Sequence, residues 1–102
     1  MSSESKEALR ERKSREKRVR GREYKKLFVK HLGGQCERCG YDKCQASFDF
    51  HHTNPEEKEF AIASEMGSMN FERLLKEIEK CMLLCSNCHR EIHYLESLKK
   101  DD

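Results

Sequence analysis

Leu83-Leu84-Cys85-Ser86-Asn87-Cys88-His89-Arg90-Glu91-Ile92-His93 is the stretch on which the fold of this chain turns. A Cys-x-x-Cys pair stands directly against two histidines four residues apart. Upstream lie a second pair, Cys36-Glu37-Arg38-Cys39, and a double histidine, His51-His52. Four thiolates suit a closed, tetrahedral structural zinc site. A separate set of histidines suits an open metal that keeps positions for water and substrate.

The bulk of the chain agrees with a metal-supported domain. Its 102 residues suffice for one domain, and with 35% hydrophobic residues, 39% charged and no Trp the core must be thin. Something has to supplement that core, and six cysteines are present. Disulfides are the rival reading. The chain opens Met1-Ser2-Ser3-Glu4-Ser5 and runs on in charge, without the apolar core of a signal peptide. No stretch is long and apolar enough to span a bilayer. The expected setting is therefore a reducing cytoplasm, where clustered Cys and His mean metal. Neither a membrane nor a small-molecule cofactor is expected as a partner.

The net charge of +2 hides an asymmetry. Residues 1–30 hold 12 Lys/Arg against 5 Asp/Glu, or +7, whereas residues 31–102 hold 9 against 14, or −5. A basic arm on an acidic, metal-binding body fits a polyanionic partner, meaning nucleic acid, with double-stranded DNA the expected form.

Residues 1–21 are helix-competent but lack an apolar stripe, and are expected as a disordered or mobile helical arm; residues 22–102 are expected as the domain. Tyr24, Leu27, Phe28, His31 and Leu32 recur at helical spacing, and Gly33-Gly34 stops that short helix. Cys36 to Tyr41 reads as a zinc knuckle, with Gly40 supplying its positive φ. Residues 46–50 alternate as a strand, with His51-His52 at or just past its end. Residues 56–69 carry no clear pattern. Asn70 caps a helix over 71–80, residues 82–84 form a second strand, and a last helix runs from Ser86 or Asn87 to about Leu98 with Ile92, Leu95 and Leu98 inward.

Cys36, Cys39, Cys85 and Cys88 complete a tetrahedron between them, with the intervening 45 residues inserted between its halves. Cys44 and Cys81 are surplus. Cys81 lies four residues before Cys85 and is a competing ligand on spacing alone; both are expected as buried thiols. His89 and His93, at i and i+4, share a helix face and suit one metal. Neighbouring strand residues point to opposite faces, so one ring of His51-His52 can join that metal while the other stays free to act on water. Asp49 is read either as an acceptor for a ligand histidine or as a solvated carboxylate, and Arg90 either as a phosphate contact or as an exposed charge.

Asp49-Phe50-His51-His52, followed by the run from Leu84 to His93 and flanked by two Cys-x-x-Cys pairs, resembles the HNH endonucleases over roughly residues 33–95. The resemblance implies a small α+β domain with a ββα-metal, treble-clef-like core and one divalent metal in its cleft. It implies that His52 is the general base, and that His51, His89 and His93 hold the catalytic metal, which histidine ligation leaves open among Mg, Mn, Ni, Co and Zn. A separate zinc sits on Cys36, Cys39, Cys85 and Cys88. The implied activity is hydrolysis of DNA phosphodiester bonds to 5′-phosphate and 3′-hydroxyl ends. One position departs from the pattern: Lys80 stands where the family keeps the middle Asn that braces the loop bearing the base, so either Lys80 or Asn54 substitutes for it or the loop is held otherwise. Two other readings remain open from sequence, a non-catalytic zinc-binding DNA-binding or adaptor module and an RNA-directed nuclease, because basic charge reads phosphate and not the sugar.

Overall fold

A computed structural model describes residues 5–100. Its first element, α1 (Lys6–His31), is one uninterrupted helix of 26 residues. The Ser5 side chain caps it by accepting from the Ala8 amide at 3.1 Å. The arm and the short helix expected over 22–32 are thus a single element, continuous through Gly21. Its buried residues are Phe28 and Val29, with Tyr24 and Leu32 packed beside them, whereas Leu27 is exposed rather than inward. Val29 was missing from the expected face because its neighbour Phe28 already defined a stripe one position away.

Strand β1 (Phe48–His52) pairs antiparallel with β2 (Cys81–Cys85) in the register Phe48 to Cys85, Phe50 to Leu83 and His52 to Cys81. The strand starts two residues later than expected because Gln45–Ser47 close a 3-10 turn, with the Ser47 amide on the Cys44 carbonyl at 3.0 Å. Both histidines therefore lie inside the strand. Helix α4 (Ser86–Lys100) follows β2 without a loop. Ile92 packs on the sheet, but Leu95 and Leu98 are exposed, contrary to the expected inward face. The reason is length: 15 helical residues span about 22 Å, while a five-residue strand spans about 17 Å, so α4 outruns the sheet.

Helix α3 (Phe71–Ile78) is capped by Asn70, whose Oδ1 accepts from the Arg73 amide at 3.3 Å. Short helix α2 (Ile62–Glu65) lies in the stretch without a sequence pattern. The core has two parts. One packs Val29, Phe48, Leu83 and Leu84 around Cys36, Cys85 and Cys88. The other packs Phe28, Ile62, Leu74, Ile78 and Cys81, with the Phe28 and Phe71 rings stacked at 5.0 Å. Helix α1 serves both, so the sheet is pinned between it and α4. The described residues thus form a small α+β protein of four helices and one two-stranded antiparallel sheet. Among them no helix is long and apolar enough to cross a membrane.

Candidate metal centres

The first cluster is assembled by main-chain hydrogen bonds. The Cys36 amide bonds the Tyr41 carbonyl at 2.9 Å, and the Gly40 amide bonds the Cys36 carbonyl at 2.8 Å. Gly40 adopts φ 81°, the left-handed conformation that the tight turn needs. The Glu37 amide on the Leu83 carbonyl, 2.9 Å, then fastens this knuckle to β2. The second half of the cluster spans the junction of β2 and α4, where the Cys88 amide donates to Cys85 Sγ at 3.4 Å.

The ligand atoms of Cys36, Cys39, Cys85 and Cys88 all lie within 4.8 Å of one another, so the four could hold a metal ion. Cys39 Sγ and Cys85 Sγ are 3.7 Å apart. A tetrahedron with metal–sulfur bonds of about 2.3 Å has edges of about 3.8 Å, so the spacing fits structural zinc. The electrostatics fit as well. Burial pushes the Cys36 thiol up, but backbone hydrogen bonds from Cys85, Cys39 and Arg38 outweigh it and bring it down to about 6. Burial and the neighbouring sulfurs push Cys88 up to about 12. Crowded thiols cannot all ionise alone; a bound cation removes that conflict.

The two surplus cysteines separate. Cys81 is buried in the second core, its thiol donating to the Glu77 carbonyl at 3.4 Å, and it lies outside the four-sulfur cluster. Cys44 is exposed, which corrects the expectation of a buried thiol. It sits in the loop before the 3-10 turn, held through its backbone, the amide on the Tyr41 hydroxyl at 3.2 Å and the carbonyl accepting from the Ser47 amide.

The second cluster brings together His51 from β1 with His89 and His93 from α4, again with ligand atoms within 4.8 Å. His89 Nε2 and His93 Nε2 are 3.0 Å apart. Two nitrogens on one ion with bonds of about 2.0–2.1 Å lie about 2.9–3.4 Å apart, so the pair is spaced for shared ligation. Asp49 Oδ2 is 3.1 Å from His89 Nδ1. A carboxylate there accepts a hydrogen bond from Nδ1–H and leaves the Nε2 lone pair facing the cluster. Burial, followed by the charges of His89 and His93, lowers the pKa of His51 and favours the neutral ring a metal requires. Arg90 lines a shallow hollow with Asp49, His89 and His93.

His52 points the other way, as strand alternation dictates. Its Nε2 is 2.7 Å from Oε2 of Glu77, a carboxylate only 1% exposed. The same oxygen accepts from the Glu59 amide at 3.0 Å, and Oε1 accepts from Lys80 Nζ at 2.9 Å. Burial raises the Glu77 pKa, but Lys80, the Glu59 amide and His52 outweigh it and hold the carboxyl at about 2. Lys80 Nζ also donates to the Glu57 carbonyl at 3.0 Å, and the Lys80 carbonyl accepts from the Thr53 amide and hydroxyl. Residues 53–59 are thereby clamped to the end of α3. Sequence reasoning missed Glu77, although one signal was there: it lies at i+3 from Leu74 and beside Ile78, on the buried face of an amphipathic helix.

A cleft of about 970 Å³ runs between α1 and the sheet. Lys17, Arg18, Arg22 and Lys25 line it from α1, Lys58 from the clamped loop, and His52 and His89 from the site. The basic segment read as an arm is therefore one wall of this cleft.

Comparison with known proteins finds no counterpart: no family model matches the chain, and neither a curated protein nor a solved structure does. Fold and site alone define the class, a small α+β protein whose four-cysteine cluster could hold a metal ion.

Proposed function

We propose that this protein is a metal-dependent endonuclease of the HNH type, with a ββα-metal core formed by β1, β2 and α4, that hydrolyses DNA phosphodiester bonds. The single observation that carries the reading is the convergence of His51, His89 and His93, with His89 of that cluster and the adjacent His52 both lining a cleft walled by cations. In this reading a structural zinc is held by Cys36, Cys39, Cys85 and Cys88, and a catalytic divalent metal by the three histidines. That second metal, when bound, supplies Lewis acidity toward a phosphate oxygen and the departing 3′ oxygen. His52 takes a proton from the attacking water as the new oxygen–phosphorus bond forms and the bond to the 3′ oxygen breaks. Asp49 keeps the His89 ring in its ligand orientation. Lys80 does the work of the family's middle Asn, bracing the loop through both its amino group and its carbonyl. Lys17, Arg18, Arg22 and Lys25 receive the phosphates along the cleft.

The test is the purified chain on supercoiled plasmid, with Mg²⁺, Mn²⁺, Ni²⁺, Co²⁺ or Zn²⁺ added singly and with EDTA, alongside a single-stranded RNA of similar length. Metal-dependent conversion of the plasmid to nicked or linear forms supports the reading. Cleavage of the RNA alone moves the substrate to RNA. Tight plasmid binding with no cleavage under any metal makes the chain a zinc-binding nucleic-acid module instead.

A further inference from the structure

We propose that Glu77 is the positioning residue for His52: it fixes the ring in the tautomer protonated at Nε2 and so leaves Nδ1 as the nitrogen able to take a proton. The proposal rests on the nuclease reading only for the use of Nδ1; the tautomer follows from the hydrogen bonds themselves. Both oxygens of Glu77 are committed as acceptors. Oε1 accepts from Lys80 Nζ, and Oε2 from the Glu59 amide. Such a carboxylate is an acceptor only, so a histidine nitrogen 2.7 Å from Oε2 has to bring the hydrogen. In the neutral ring one nitrogen carries the proton and the other the lone pair, which places the lone pair on Nδ1. The low carboxyl pKa of Glu77 agrees with an acceptor that stays ionised.

The arrangement also explains why a charge is buried here at all. A carboxylate sealed from water is costly unless it is fully hydrogen-bonded. Glu77 is so bonded on three sides, and it ties together α3, the clamped loop and the strand that carries His52. A Leu at this position would fill the core without that cost, but it would free the His52 ring to take either tautomer.

The experiment uses the full, zinc-loaded chain labelled with ¹⁵N. Long-range proton–nitrogen correlations report which imidazole nitrogen carries hydrogen, and His52→Ala assigns the signal. Wild-type His52 is expected in the Nε2–H form. Glu77→Gln keeps a carbonyl acceptor and should preserve that form, whereas Glu77→Met should give a mixture. With plasmid as substrate, Glu77→Met is expected to lower kcat about 10-fold or more, short of the roughly 10²–10⁴-fold effect of removing a base, with KM within about twofold. Glu77→Gln should recover much of that loss. An Nδ1–H ring in the wild type overturns the proposal even if Glu77→Met does not fold. So does a folded Glu77→Met that keeps both the Nε2–H form and the wild-type kcat. If the wild type cuts no substrate with any metal, the nuclease reading fails, while the tautomer measurement still decides the link between Glu77 and His52.

Discussion

Gly67 lies against the carbonyl of Lys17 so closely that a Cβ built on it would stand 2.3 Å from that oxygen, and it holds φ 87°, where side chains are strained. Gly21 meets the same segment, with the Met66 carbonyl 3.4 Å from its would-be Cβ. These two glycines let the basic part of α1 dock instead of projecting free. Gly67→Ala combines backbone strain with a main-chain clash and should cost about 2 kcal/mol or more in chemical denaturation. Amides around Lys17 and Gly21 should lose hydrogen-exchange protection first. An unchanged denaturation midpoint would mean that α1 does not dock there.

Cys36→Ser or Cys88→Ser should unfold the domain, because metal binding by a core-poor chain is folding free energy. EDTA or a stronger chelator should do the same to the wild type. Cys44→Ser should be silent, and Cys81→Ser mild, since a hydroxyl can keep the bond to the Glu77 carbonyl. Elemental analysis and circular dichroism of the four variants check this; equal behaviour would remove the four-sulfur site.

His52→Ala should abolish cleavage while zinc content and DNA affinity persist, since a base acts on the transition state. His51→Ala, His89→Ala and His93→Ala should instead raise the metal concentration needed for half-maximal cleavage, so excess metal partly restores them. Titrating metal at fixed protein separates the two classes. A loss in His51→Ala that no metal restores, beside full cleavage by His52→Ala, would exchange their roles.

Arg18→Gln with Arg22→Gln should weaken DNA binding uniformly across sequences. If each cation meets one phosphate, the slope of log affinity against log salt should flatten by about 1.8. The thermal midpoint should move little, because both side chains are exposed. A salt slope equal to that of the wild type would take α1 out of the nucleic-acid interface.

Cys81 and Cys44 should differ as alkylation targets. Burial, then the nearby Glu77 charge, push the Cys81 thiol up to about 12. The thiolate is the nucleophile, so Cys81 should stay inert until pH approaches that value or the chain unfolds. Iodoacetamide on the folded, metal-loaded protein at pH 8 should place one label, at Cys44. Mass mapping that finds Cys81 labelled first would contradict its placement in the core.

Most of the site could be read in the sequence because its signals are local. A knuckle needs two cysteines and a glycine within five residues, and two histidines four apart need only one helix turn. Which histidine of the pair faces α4 came from the family resemblance, which assigned His51, and not from the residue pattern alone, because a 3-10 turn over Gln45–Ser47 precedes β1 and leaves its start unmarked. Glu77 escaped because its three partners come from three separate segments. The reach of α1 escaped for a similar reason: two glycines 46 positions apart allow its docking, and neither advertises a partner. Leu95 and Leu98 kept a perfect helical period without a sheet beneath them, so their pattern predicted a burial that strand length denied.

Cys88 and His89 are consecutive residues in the first turns of α4, so one peptide bond joins the two candidate centres. Any ion gathered by the sulfurs fixes the backbone from which the imidazoles project. Loading should then be ordered: the first equivalent of metal should bind with a large change in helicity, and the second with almost none. Removal should run in reverse, with a mild chelator emptying the histidines while the chain stays folded. Occupancy of the two centres is in this sense a sequence of events, written into the chain by the adjacency of two residues.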